Sequence, residues 1–279
     1  MFIEFVVPTK IMAGFDAIFR LPYELELRGI KRPILLTDQG IMSAGIYDSV
    51  KRAFDEHKFV LQVVYSDIPP ETSVDSAKEA YRIFMDENCD AIVSLGGGSV
   101  IDTGKALRMM VSEGTDDLIA LSGADNITKK GVTFVAIPTT AGTGSEVTGV
   151  AVIFDKSTNS KIAFASDFLI PDIAVLDPEL TVSMPKKLTA ASGIDALSHA
   201  VEAYIGIQSN DISKALSFRA TKLIFDNIII AIMDGKDKNA RFNMLVASTM
   251  AGMAFSNSMV GIVHSLAHAA GAVLHIPHG

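Results

Sequence analysis

Apolar residues follow two different rhythms along this chain. Up to about residue 180, short unbroken β-branched runs alternate with stretches of helical period, and beyond that only the helical period remains. Pro33-Ile-Leu-Leu-Thr37 reads as a buried strand and residues 41–57 as an amphipathic helix. Residues 59–65 form the next strand and 73–88 a helix, with Ala77, Ala80, Tyr81 and Phe84 on one buried face. Strand Asp90-Ala-Ile-Val-Ser-Leu95 leads through a glycine turn into a helix over 99–112, and Val132-Thr-Phe-Val-Ala-Ile137 is a further strand. Apolar strands alternating with helices predict a parallel sheet covered on both faces. Residues 150–154 and 161–164 flank a polar loop and read as a hairpin, and Ile173-Ala-Val-Leu176 is the last strand. Segments 187–205, 212–233 and 240–256 are then helical. The pattern predicts an α/β domain over 1–181 and an all-α domain over 182–279.

Composition narrows the class. With 49% hydrophobic and 20% charged residues over 279 positions, the chain can bury a core without disulfides and is not disordered. A net charge of −8 and the lack of a basic run argue against nucleic acid as a partner. The single cysteine, Cys89, excludes a disulfide framework and fits a reducing compartment. The start, Met1-Phe-Ile-Glu4, lacks the positive region of a secretion signal. Apolar stretches are interrupted before the ~20 residues a membrane span requires. The expectation is a soluble cytoplasmic protein.

Three glycines in Ser94-Leu-Gly-Gly-Gly-Ser-Val-Ile-Asp102 stand between a strand and a helix start. Such a turn lets backbone N–H groups and the helix dipole approach an anion such as a diphosphate. A tight turn with no ligand has the same signature. A dinucleotide-binding GxGxxG needs glycine at Ile101, and a Walker loop needs glycine at Ser99 and Ser or Thr at Ala106, so neither motif is present. Pro138-Thr-Thr-Ala-Gly-Thr-Gly-Ser-Glu146 also follows a strand, and its threonines offer hydroxyl donors. Asp38 stands just past a strand end, where it can accept from a ribose 2′-hydroxyl and repel a 2′-phosphate, favouring NAD over NADP; an ordinary turn aspartate looks the same.

The histidines cluster late. Asp195 and His199 are spaced i, i+4 in a helical segment, as are His264 and His268, and His275 and His278 follow around Pro277. That spacing brings side chains to one helix face, where a carboxylate and imidazoles can share a divalent ion. Several three-histidine sets are possible, and the donors suit Fe(II), Zn(II) or Mn(II) alike.

Together, Gly96-Gly-Gly-Ser-Val-Ile-Asp102, the 138–146 loop, Gly193-Ile-Asp-Ala-Leu-Ser-His-Ala-Val-Glu202, Gly261-Ile-Val-His-Ser-Leu-Ala-His-Ala-Ala-Gly271 and Pro277-His-Gly279 resemble the iron-containing alcohol dehydrogenases. The resemblance implies the dehydroquinate synthase-like fold, an α/β NAD-binding domain followed by an all-α metal-binding domain. It matches Asp195, His199, His264 and His278 to metal ligands for Fe(II), with Zn(II) as an alternative, and His268 to a histidine between metal and nicotinamide that relays a proton. It matches Gly97, Gly98 and Ser99 to the pyrophosphate loop, with Asp102 toward the nicotinamide. Thr139, Thr140, Thr143, Thr148, Lys161 and Leu180 match further cofactor contacts, Asp38 the residue that disfavours NADP, and Phe255 the substrate pocket. The implied reaction is metal-assisted hydride transfer between a primary alcohol or diol and NAD. A catalytically silent binding remnant and a related glycerol dehydrogenase are the alternatives. Family members continue beyond the position of Gly279 with further helices, so the metal-binding domain is expected to be incomplete. A homodimer or higher homo-oligomer, pairing through a strand over residues 2–7, is also implied.

Overall fold

A computed structural model describes residues 3–274, with the side chains of His268 and residues 271–274 outside the description. The chain forms two compact units. One comprises Pro8–Pro138 and Gly149–Leu180; the other takes in residues 3–7, Thr139–Thr148 and the chain from Thr181 onward.

The first unit runs β1 (Lys10–Ala13), α1 (Leu21–Leu27), β2 (Pro33–Leu36), α2 (Gln39–Ser43), α3 (Ile46–Glu56) and β3 (Val63–Tyr65). It continues with α4 (Val74–Asp86), β4 (Ala91–Gly96), α5 (Gly98–Glu113), β5 (Gly123–Ala124) and β6 (Thr133–Pro138). A hairpin, β7 (Val150–Asp155) and β8 (Ser160–Ala165), precedes β9 (Ile173–Leu176). Six strands form one all-parallel sheet in the order β1-β9-β6-β4-β2-β3. Every residue of β2, β4 and β9 is buried, as their unbroken apolar sequences require. From β2 the sheet first grows to β3 on one side and then to β4 on the other. Such a reversal opens a crevice at the carboxyl ends of the two strands, here β2 and β4.

Local chemistry sets the element boundaries. Ser73 accepts from Ser76 N–H and closes a capping box that starts α4, while Asp38 accepts from Ile41 N–H at 2.9 Å to start α2. The helix expected over 41–57 is two helices, because Gly45 adopts φ 71° between them. The strand expected over 59–65 pairs only from Val63, and Phe59 instead packs edge-on against Phe54 in the core with centroids 5.5 Å apart. Cys89 is buried in the cluster formed by Ile34, Phe84 and Ile92. β7 and β8 pair antiparallel, and the Asp155 carboxylate accepts from Ser157 and Thr158 to close their loop. Beneath the sheet, the buried Arg108 guanidinium donates to Asp172 Oδ2 and to Ile170 O, both at 2.8 Å. Asp172 also accepts from Phe134 N–H on β6, tying that strand to the entry of β9.

The second unit is built on α6 (Lys186–Ile205), α7 (Asp211–Met233), α8 (Lys238–Ser256) and α9 (Ile262–Leu274). Asn210 and Ser213 form the capping box of α7, and Asp237 caps α8. The first three helices bury Ala196, Ile224, Ile228, Met244 and Leu245 between them. Buried Arg241 donates to Thr189 Oγ1, Met184 O and Gly235 O, fastening the start of α6 to α8. No helix of the described residues is long and apolar enough to cross a membrane. The strand expected over 2–7 is not seen in the described residues 3–7. Instead the backbone of Val6 pairs with the Asn257 side chain, its N–H donating to Oδ1 at 2.7 Å and its carbonyl accepting from Nδ2 at 3.1 Å. One carboxamide here satisfies both groups that a neighbouring strand would.

Candidate functional site

In the helical unit, α6 places Asp195 and His199 one turn apart on a buried face, and α9 brings in His264 in its first turn. The donor atoms of these three residues all lie within 4.8 Å of one another. His264 Nε2 is 3.5 Å and His199 Nε2 4.0 Å from Asp195 Oδ1. The two imidazoles stack, with centroids 4.3 Å apart and planes inclined by 23°. Phe255 from α8 stacks on His199 at the same 4.3 Å.

Each imidazole is held from behind at Nδ1. His199 Nδ1 faces the Gly142 carbonyl at 3.3 Å, and His264 Nδ1 faces Glu202 Oε2 at 2.5 Å. In the neutral ring an N–H donated from Nδ1 leaves Nε2 as the basic nitrogen, the one that a cation shared with the Asp195 carboxylate would engage. Burial disfavours a charged His264, but Asp195 and Glu202 outweigh it and hold the imidazole above its ordinary pKa. Burial likewise disfavours ionised Glu202, yet its hydrogen bonds from Gly261, His264 and Val263 hold the carboxyl below its usual range. Two imidazole nitrogens and a carboxylate oxygen, buried and convergent, fit a divalent first-row cation.

Of the other residues expected in this unit, His268 lies on α9 one turn beyond His264. His275 and His278 lie outside the described residues. The threonine-rich segment docks on α8: Thr249 Oγ1 donates to the buried Glu146 carboxylate at 2.6 Å. Thr139 and Thr148 are buried, Thr140 is half-buried, and Thr143 Oγ1 accepts from Ser145 N–H at 3.2 Å.

In the α/β unit, Gly97 starts α5 with no side chain capping it, so the N–H groups of Gly98 and Ser99 open the helix without a side-chain partner. Gly96 also has a purely steric reason: a Cβ there would come within 2.6 Å of the Val100 side chain. The carboxyl edge of β4 carries this turn and that of β2 carries Asp38, so both flank the sheet's reversal point. Asp102 is committed to structure through Oδ2, which accepts from Val152 N–H at 3.0 Å. Lys161 pairs with Glu71 at 2.8 Å, and Leu180 is buried in the core beside Val175.

Sequence reading did not single out Glu202, Glu146 or Gly142 as parts of the site. Glu202 carried one available signal, since it lies two helical turns from Asp195 and so shares its face of α6.

Residues 8–178 match the family model of iron-containing alcohol dehydrogenase, and residues 189–279 match the C-terminal model of the Fe-containing alcohol dehydrogenase family. Alcohol dehydrogenase 4 of Schizosaccharomyces pombe is 35% identical over 275 residues, which span 99% of this chain and 65% of the relative. The crystal structure of a 1,3-propanediol oxidoreductase superposes with a TM-score of 0.96 at 34% identity, covering 100% of this chain and 72% of that one. Sulfoacetaldehyde reductase from Bifidobacterium kashiwanohense, solved in complex with NAD+, gives a TM-score of 0.94 at 30% identity, covering 100% and 73%. The chain thus spans about two thirds of the length of the curated relative.

Proposed function

The chain belongs to the iron-containing alcohol dehydrogenase family, and on that premise we propose that it catalyses reversible hydride transfer between a primary alcohol or diol and NAD. The observation that carries this reading is the convergence of Asp195, His199 and His264 on one buried point. These three residues, with His278 as the fourth ligand that the family pattern implies, hold a divalent cation, Fe(II) or Zn(II). Such a cation supplies Lewis acidity that lowers the pKa of an alcohol hydroxyl, and NAD supplies the hydride acceptor.

The remaining roles belong to the chain itself. Gly97, Gly98 and Ser99 offer the uncapped start of α5 to the pyrophosphate. Asp38 accepts from the ribose 2′-hydroxyl. Thr139, Thr140, Thr143 and Thr148 supply further polar contacts to the cofactor, together with Asp102 and Lys161, and Leu180 an apolar one. Phe255 gives the substrate pocket an apolar wall where it stacks on His199. His268 carries the alcohol proton toward solvent as a general base. A cytoplasmic location and a homo-oligomeric state complete the reading.

The test is metal analysis of anaerobically purified protein, then NADH absorbance with a panel of primary alcohols, diols and glycerol after addition of Fe(II) or Zn(II). Stoichiometric metal and alcohol-dependent NADH formation are expected. His264→Ala is expected to abolish metal uptake and leave nucleotide binding intact. Metal and NADH binding with no turnover across the panel would replace the dehydrogenase with a binding protein, and preference for glycerol would move it to the glycerol dehydrogenases.

A further inference from the structure

Glu202 makes two connections from one carboxylate. Its Oε2 meets His264 Nδ1 at 2.5 Å, while its Oε1 accepts from Val263 N–H, in the first turn of α9, at 2.7 Å. The residue is 5% exposed and stands on α6, the helix that carries Asp195 and His199. Gly261 makes room for it, since a Cβ there would lie 2.9 Å from Glu202 Oε1. His199 Nδ1 instead faces a neutral carbonyl, that of Gly142.

We propose that Glu202 is the positioning residue of the metal site, a carboxylate that fixes both where α9 begins and which nitrogen His264 presents. The inference rests on the metal-binding reading above. A helix start needs acceptors for its first N–H groups, and a ligating imidazole needs a partner for its far nitrogen. One rigidly placed carboxylate meets both needs. The only described donor that does not come from α6 is thereby held in register with the two that do. Removing such a partner typically weakens metal affinity roughly 10–100-fold.

The experiment compares the full chain with Glu202→Gln, Glu202→Asp and Gly261→Ala. Cobalt(II) affinity is read by chelator competition and by the visible d–d band, and the His264 tautomer by 15N NMR of the metal-free protein at a pH where the ring is neutral. Glu202→Gln is expected to lose affinity by roughly 10–100-fold, to shift the d–d band, and to mix the His264 tautomers. Thermal melting should stay near that of the parent. Gly261→Ala, which displaces the carboxylate without removing it, should weaken binding in the same direction. Glu202→Asp should recover part of the loss. Parental affinity and an unshifted band in a folded Glu202→Gln overturn the proposal while leaving the metal site standing. A parent chain that takes up no cobalt overturns the metal reading and this proposal together, and an intact Nδ1–H signal would then mark the pair as purely structural.

Discussion

Gly144 and Gly252 meet backbone to backbone. A Cβ on Gly144 would sit 2.6 Å from the Gly252 Cα, and one on Gly252 would sit 2.9 Å from the Gly144 Cα. Gly144 also adopts φ 62°, a conformation that disfavours any side chain. This contact and the Thr249–Glu146 hydrogen bond seat the threonine-rich segment on α8. Gly252→Ala should therefore lift the segment, lowering stability by about 1–3 kcal/mol and weakening NADH binding. Chemical denaturation and NADH fluorescence titration check the two effects, and an unaltered denaturation midpoint would show that the segment has room to spare.

Asp172→Ala should destabilise the α/β unit strongly. The change strips the buried Arg108 of its carboxylate and leaves Phe134 N–H without its acceptor. Breaking one side of a buried pair costs about 3–5 kcal/mol, most of it from the charge left behind. Urea unfolding measures it. Arg108→Met combined with Asp172→Leu should be less damaging than Asp172→Ala, because no uncompensated charge remains.

Stability should fall in acid partly through Glu24. The hydrogen bond from Lys10, at 2.5 Å, outweighs burial and with Arg28 holds its carboxyl below the ordinary value of 4.5. A lowered folded-state pKa stabilises the fold above the unfolded-state value, and that contribution disappears as pH falls through the folded one. Lys10 is half-exposed, so the contribution is about 1 kcal/mol or less. Glu24→Gln should be the less stable chain at neutral pH, with the difference closing below about pH 4.5. Parallel unfolding curves at every pH would remove Glu24 from the account.

Asp38 has two separable jobs. As the cap of α2 it accepts from Ile41 N–H, and as a carboxylate it would repel a 2′-phosphate. Asp38→Ser keeps a capping oxygen and removes the charge, so the NADP-to-NAD ratio of kcat/KM should rise about tenfold, equivalent to about 1.4 kcal/mol, with melting unchanged. Asp38→Ala should raise the ratio similarly and also cost about 1 kcal/mol of stability through the lost cap. A ratio unmoved in both variants would leave Asp38 with the cap alone.

The sheet was legible where the physics is local. β2, β4 and β9 are buried on both faces and therefore appear as unbroken apolar runs. β1 escaped notice because it is a four-residue edge strand, mostly exposed, whose only neighbour is β9, far along the chain. At the site, Asp195 and His199 could be paired because one helical turn separates them. Glu202 could not be paired with His264 from spacing, since they stand 62 positions apart, nor Glu146 with Thr249 at a separation of 103. An acid on a helix reads as a solvated surface charge until the fold shows what covers it.

Cys89 gives the chain a built-in clock. Desolvation just ahead of β4 pushes this thiol up to about 11, so at neutral pH it is neither accessible nor a thiolate. Alkylating reagents can then reach it only during excursions in which the α/β unit opens. Because the sequence offers no other sulfhydryl, the rate of labelling times those openings alone, while the helices bearing the histidines remain silent in the same measurement.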